Sequence, residues 1–260
     1  MKDNINDLMK DFTGNNVVLI AGPCSLETEE QINNVAKRLK ELGFKFMRAG
    51  IYKPRTSPDS FQGLGKEAIP TMEKSCKDHG LFSVSEVMDP RDVGDMAKHI
   101  DILQVGARNM QNFSLLKELG KIQNPILLKR GMSATINELL AASEYITRGG
   151  NKNVILCERG IRTFETETRN TLDISAVPVL HAKSKLPVIV DPSHATGRKD
   201  LILPMSEAAI AAGAHGIMIE THPDPANAKS DQNQQLDLDE FKTFIEYVKG
   251  FCARIGKKLI

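Results

Sequence analysis

The sequence predicts a single-domain α/β fold, a (β/α)8 (TIM) barrel. Three observations carry that expectation. Eight short, near-continuously apolar runs recur along the 260 residues, helical patterns with marked starts and stops lie between them, and polar residues close the runs at their C-terminal ends. Runs apolar on both faces are what parallel strands covered by helices require, and a barrel of roughly 250 residues forms one core. An open doubly wound sheet has the same local pattern, but the eightfold count favours closure.

The chain opens with MKDNINDLMKDFTGNN, a polar stretch without the apolar centre of a signal peptide. Residues 1–16 are therefore read as an N-terminal extension and 17–260 as the barrel. The first run is VVLIAGPC (17–24). In the helix after it Thr28 and Gln31 have capping-box spacing, Ile32, Val35, Ala36, Leu39 and Leu42 form an inward stripe, and Gly43 is the stop. The second run, FKFMRAG (44–50), leads into IYKPRTSPDSFQGLG (51–65), which is too long to be a mere connection. Pro70 lies in the helical segment before LFSVSEV (81–87), so that helix starts late or kinks, and Gly80 ends it. Asp89-Pro90 caps the helix before DILQVGA (101–107). PILLKRG (125–131) and NVILCERG (153–160) flank a helix opened by Thr135 and Glu138 and closed by Gly149. Pro178 again marks a late or kinked helix before LPVIVDPSH (186–194), and Gly213 stops the helix before GIMIETH (216–222). A second long loop, THPDPANAKSDQNQQL (221–236), precedes the last helix, which ends near Gly256 before a short basic tail.

With 34 basic and 33 acidic residues, the chain as a whole has no electrostatic case for a nucleic-acid or membrane-surface partner. No run approaches the roughly 20 apolar residues of a membrane span, and the expected location is the cytoplasm. The four cysteines (Cys24, Cys76, Cys157, Cys252) are widely spaced with no CxxC pair, which argues for reduced thiols.

If the runs close into a barrel, Cys24, His194, Glu220 and Asp231 converge on one mouth. A thiolate, an imidazole and two carboxylates suit one borderline divalent ion, Zn²⁺, Fe²⁺ or Mn²⁺, and no organic cofactor is expected. Taken alone, His194 reads as a hydrogen-bonded core histidine and Cys24 as a small buried hydrophobe; four candidate ligands together make coincidence the poorer account. His215 and His222 are weaker candidates, with packing or surface roles. The same strand ends deliver Arg48, Lys53, Glu86, Arg108, Lys129, Arg130, Glu158 and Arg159. One such charge is normally solvated, but several cations facing one cavity call for an anionic substrate with more than one phosphate or carboxylate. The prolines of KPRTSPDSFQG limit that loop's freedom and make it a candidate phosphate clamp; Gly197 and Arg198, at the start of the seventh helix, are the second choice.

The motifs AGPCSLE, MRAGIYKPRTSP, VGARNM, LKRGM, CERGIRTFE, DPSHATGR, IETHP and SDQNQQL occur in order at the strand ends. On them the chain resembles, over nearly its whole length, the 3-deoxy-D-arabino-heptulosonate 7-phosphate (DAHP) synthase family, in its shorter microbial type I branch. The resemblance implies a (β/α)8 enzyme condensing phosphoenolpyruvate with erythrose 4-phosphate and water, with release of phosphate, as the first step of the shikimate pathway. It implies the same four metal ligands, a phosphoenolpyruvate site of Arg48, Lys53, Ala107, Arg108, Lys129 and Arg159, and an aldose-phosphate site of Arg55 and Thr56. Lys53, Lys129 and Glu86 are the candidate proton donors and bases, with Lys53 the choice for donor to the new alkoxide. A homodimer or homotetramer is the implied assembly.

Two other readings compete. The related 3-deoxy-D-manno-octulosonate 8-phosphate synthases, which use arabinose 5-phosphate, carry an Asn-Arg-Ser-Ser type clamp where this chain has Lys53-Pro54-Arg55-Thr56. A catalytically silent sugar-phosphate-binding barrel would be free to lose Cys24 or Lys53. Because the barrel occupies the chain from about Val17 to Gly256, the isolated chain is expected not to be inhibited directly by phenylalanine, tyrosine, tryptophan, chorismate or prephenate.

Overall fold

The computed structural model describes residues 5–260 in backbone and side chains from residue 8 onward. Each apolar run forms a strand shorter than the run itself: β1 (Asn16–Gly22), β2 (Phe46–Arg48), β3 (Phe82–Glu86), β4 (Ile102–Val105), β5 (Ile126–Lys129), β6 (Val154–Glu158), β7 (Val188–Val190) and β8 (Gly216–Glu220). All pairings are parallel, in the order β2-β3-β4-β5-β6-β7-β8-β1, and β1 also pairs with β2, so the sheet closes into a (β/α)8 barrel. The expected basic tail is a ninth strand, β9 (Lys258–Leu259), which pairs with the start of β1 and buries Leu259.

The strands are apolar throughout because they pack on both faces. Val17, Leu19 and Ala21 join the layer between sheet and helices, whereas Val18 and Ile20 join Phe46, Val84, Ile102, Leu127, Ile155, Cys157, Ile189 and Met218 inside the barrel. This period-two alternation decides which strand-end side chains enter the mouth. Stepping by twos from the interior residues reaches Cys24, Arg48, Glu86, Gln104, Lys129, Arg159, Asp191 and Glu220. Arg130 and Glu158 have the other parity and belong to the outer face. There Arg130 bonds Glu158 at 2.9 Å, Asp173 at 2.8 Å and the Ala134 carbonyl at 2.8 Å, so these two charges form a structural network rather than part of the anion bed.

Helix signals in the sequence correspond to real caps. Thr135 and Glu138 form a complete capping box, and Asp89 accepts from the Arg91 amide. Thr28 accepts from the Gln31 amide, but the Gln31 side chain turns to Glu27 and Ser25 instead of Thr28, so only half of that box forms. Pro70 and Pro178 fall in the first turns of Ile69–His79 and Ala176–Lys183, so both helices start late, where a missing amide proton leaves no bond unmade. Among the described residues no helix is long and apolar enough to cross a membrane.

The polar N-terminal stretch hides a plug. Leu8 and Phe12, on and just after the helix Ile5–Lys10, are buried against the barrel's inner layer, and the Phe12 ring lies 5.6 Å from that of Phe46. Phe12→Ala is expected to destabilise the fold by about 3–5 kcal/mol, because it empties a fully enclosed site at the barrel floor. Urea unfolding checks this; a loss below about 1 kcal/mol would mean that the floor collapses around the gap.

Candidate active site

The inward-facing strand ends surround a cavity of about 320 Å³ at the C-terminal mouth, lined among others by Arg48, Lys53, Arg55, Thr56, Ala107 and Arg108. Glu86, Gln104, Lys129, Arg159, Arg169, His194 and Asp231 complete its wall. Candidate ligand atoms of Cys24, His194, Glu220 and Asp231 all lie within 4.8 Å of one another. Every residue expected at the substrate or metal site therefore lies at this one place. The second-choice clamp does not face the cavity: Arg198 is turned outward and pairs with Asp200 at 2.8 Å. His215 accepts from the Val188 amide and stacks on His181, and the His222 ring accepts from the Asp224 amide, so both have packing roles.

Local structure aims each group. Gly22 has φ 147° and a Cβ there would meet the Arg48 carbonyl at 2.0 Å, so glycine lets β1 run close beside β2 and turn Cys24 inward. Gly106 leaves space for the Glu86 carboxyl, which a Cβ would meet at 2.1 Å. Asp231 comes from the 221–236 loop in a left-handed conformation, φ 49°, the one non-glycine residue with positive φ among the described residues. Strain of that kind is commonly kept where a side chain must be aimed. Neighbouring Gln235 accepts from the Cys24 amide at 2.9 Å, and Gln234 donates to Glu220 at 2.5 Å.

Cations interleave with the ligand cluster. Lys53 Nζ donates to Cys24 Sγ at 2.9 Å, Arg48 donates to Glu220 at 2.5 Å, Lys129 donates to Asp191 at 2.5 Å and Arg169 donates to Asp231 at 3.1 Å. Of the four buried side-chain polar atoms without a hydrogen-bond partner among the described residues, two belong to this cavity wall: Arg159 Nη1 and Glu86 Oε1. Arg159 keeps one tie, Nη2 to the His194 carbonyl at 3.0 Å, and presents the rest of its guanidinium to the cavity. A buried guanidinium with one nitrogen unpartnered, beside Arg108 and Lys129, is what an anionic ligand would complete.

Burial pushes the Cys24 thiol up to about 12, with Glu220 acting in the same sense. Burial also pulls His194 down to about 4, against the pull of Asp191 and Glu220. The carboxyl of Glu220 stays below its ordinary range despite burial, because His194 and Arg48 face it. Burial raises Glu86, against Lys53 and Lys129. A neutral imidazole, two ionised carboxylates and a thiol that yields its proton only to a strong competitor form a donor set suited to a borderline divalent cation.

A family model described as the DAHP synthetase I family matches residues 6–255. The chain belongs to that family. It is 49% identical over 259 residues to the phospho-2-dehydro-3-deoxyheptonate aldolase of Thermotoga maritima, covering 99% of this chain and 77% of the relative. A crystal structure of the Thermotoga maritima enzyme, titled a DAHP synthase, superposes with a TM-score of 0.92 at 49% identity, over 95% of this chain and 72% of the other. A 2-dehydro-3-deoxyphosphooctonate aldolase of Rhodopseudomonas palustris is more distant, 30% identical over 258 residues, covering 92% of this chain and 89% of that one.

Three residues of the family member's site were not legible as such. Asp191 was hidden inside DPSH, although its place three residues before His194 is that of a helix cap. Gln104 is a polar residue in the middle of an apolar strand, and its parity is the signal that places it at the mouth. Arg169 comes from the 159–175 connection after β6, where no periodicity points to its role.

Proposed function

We propose that this chain condenses phosphoenolpyruvate with erythrose 4-phosphate and water, giving 3-deoxy-D-arabino-heptulosonate 7-phosphate and phosphate, at the mouth cavity and with one divalent metal ion bound by Cys24, His194, Glu220 and Asp231. The observation that carries this reading is a candidate ligand quartet, two of whose members, His194 and Asp231, line the same cavity as five cations of the bed, Arg48, Lys53, Arg108, Lys129 and Arg159. A bound Mn²⁺, Zn²⁺ or Fe²⁺ would supply Lewis acidity toward the aldehyde oxygen.

Arg159, Arg108 and Lys129 hold the phosphate and carboxylate of phosphoenolpyruvate, so that its C3 faces the aldehyde. Lys53 Nζ, hydrogen-bonded to Cys24, stands next to the ligand cluster and donates a proton to the alkoxide formed as the carbon–carbon bond closes. Glu86, whose Oε1 is unpartnered and whose Oε2 accepts from Gln104 at 3.2 Å, takes a proton from the water that adds at C2. Lys129 assists the collapse of the resulting hemiketal phosphate by C–O cleavage. With oxygen-labelled water the label should enter C2 of the product and not the released phosphate. Mass spectrometry decides; label in phosphate would mean attack at phosphorus.

The clamp loop is held at both feet. Tyr52 donates to Asp92 at 3.1 Å and Lys66 pairs with Asp92 at 2.6 Å, while Lys53 N bonds the Gln62 carbonyl across the loop. Asp92→Ala should therefore raise KM for erythrose 4-phosphate about fivefold to tenfold, on the order of the 1 kcal/mol that one hydrogen bond contributes net, and leave KM for phosphoenolpyruvate within about twofold. Initial rates with each substrate varied check the split; equal shifts in both constants would show that Asp92 does not act through the clamp. Of the extension 1–16, whose first four residues lie outside the described ones, Leu8 and Phe12 seal the barrel 17–260, the enzyme works in the cytoplasm, and a dimer or tetramer would cover the exposed Phe164 and the stacked Phe113 and Tyr145.

A further inference from the structure

We infer that Asp191 is the positioning residue that sets the tautomer of His194 for cation binding and ties the ligand cluster to Lys129, an inference that rests on the metal reading above. Asp191 follows β7 with inward parity and is completely buried. Its Oδ1 accepts from the His194 backbone amide at 2.9 Å, while its Oδ2 accepts from His194 Nδ1 at 2.7 Å and from Lys129 Nζ at 2.5 Å. An ionised carboxylate has no proton to give, so the hydrogen of that 2.7 Å contact belongs to Nδ1 and the lone pair of the ring is left on Nε2.

That lone pair faces acceptors. Nε2 lies 3.2 Å from Glu220 Oε1 and 3.8 Å from Asp231 Oδ2. With the proton on Nδ1 the ring turns a lone pair, not an N–H, toward these two carboxylate oxygens, an arrangement that a cation would draw together. The opposite tautomer would fill the space with an N–H and block the imidazole as a ligand. The third partner matters equally. Lys129 offers only donors, so any group at position 191 that presents a donor to both neighbours is incompatible with the arrangement. Asparagine is such a group. It keeps the cap through Oδ1, but its amide nitrogen meets Lys129 Nζ and asks His194 Nδ1 to accept, moving the ring proton to Nε2.

The test reads the ring and the metal separately from turnover. Nitrogen-15 imidazole spectra of the metal-free wild-type chain should show His194 protonated on Nδ1; protonation on Nε2 overturns the inference without any variant. Co²⁺ titration, read by the thiolate-to-cobalt absorption band, should give an affinity lowered about ten- to a hundredfold in Asp191→Asn, with the ring proton shifted to Nε2. Asp173→Asn, which removes a carboxylate paired with Arg130 on the outer face of the sheet, should leave cobalt affinity within about twofold and the tautomer as in wild type. Equal cobalt affinity in Asp191→Asn and wild type overturns the role of Asp191 while the metal reading stands. No thiolate-to-cobalt band in the wild-type chain removes the metal reading and this inference with it.

Discussion

Cys24→Ser is expected to lower kcat/KM at least about a thousandfold, the equivalent of roughly 4 kcal/mol of lost transition-state stabilisation. The Cys24 sulfur is completely buried, lies 2.9 Å from Lys53 Nζ and 3.4 Å from Asp231 Oδ2, and so stands between the proposed ligands at and after the ends of β7 and β8 and the cations at and after the end of β2. A serine hydroxyl in that place does not ionise, so the proposed metal site would lose a charged ligand and Lys53 the sulfur it donates to. Cys252→Ser is the matched control. Cys252 is also buried, but it lies in Leu238–Arg254 on the outside of the barrel, and activity should stay within about twofold. Metal content after dialysis and initial rates on both variants measure the difference; comparable losses in the two would remove Cys24 from the ligand set.

Arg159→Ala is expected to reduce kcat/KM for phosphoenolpyruvate about a hundredfold to ten-thousandfold, since two charge-assisted hydrogen bonds of roughly 1.5–3 kcal/mol each are lost. The guanidinium is desolvated in advance: burial pulls its pKa below the ordinary value, with Asp191 pulling the other way, and Nη1 waits without a partner. Arg159→Lys should recover only part of the loss, because a point charge cannot reproduce the planar fork. Calorimetric titration of phosphoenolpyruvate separates binding from turnover. Unchanged affinity in Arg159→Ala would place the phosphate elsewhere in the cavity.

The barrel was legible because its local rules agree: eight apolar runs, stops at Gly43, Gly80 and Gly213, and prolines in first turns all describe the same architecture. That Cys24, His194, Glu220 and Asp231 would come together was legible for a different reason, since four candidate ligands at or beyond three strand ends are hard to explain by packing. What escaped lies where local pattern carries no information on direction. Arg130 and Lys129 are adjacent in LKRG and looked alike, yet one joins an outer ion network and the other the cavity, and only the alternation fixed by Leu127 and Leu128 tells them apart. Phe12 and Leu259 looked like parts of polar ends, and only barrel closure explains why they are buried. Arg169 reaches Asp231 from a different loop, a contact 62 residues long in sequence that no spacing rule anticipates.

Phosphate release from phosphoenolpyruvate, followed with erythrose 4-phosphate and with arabinose 5-phosphate before and after chelation, tests the central claim most directly. On the proposed function a clamp at Arg55 and Thr56 sets one distance between phosphate and aldehyde, so one extra carbon would misplace the reacting atom. The expected result is a higher kcat/KM with erythrose 4-phosphate, loss of release on chelation, and its return with Mn²⁺, Zn²⁺ or Fe²⁺. A higher kcat/KM with arabinose 5-phosphate, or full activity in metal-free protein, would contradict the account.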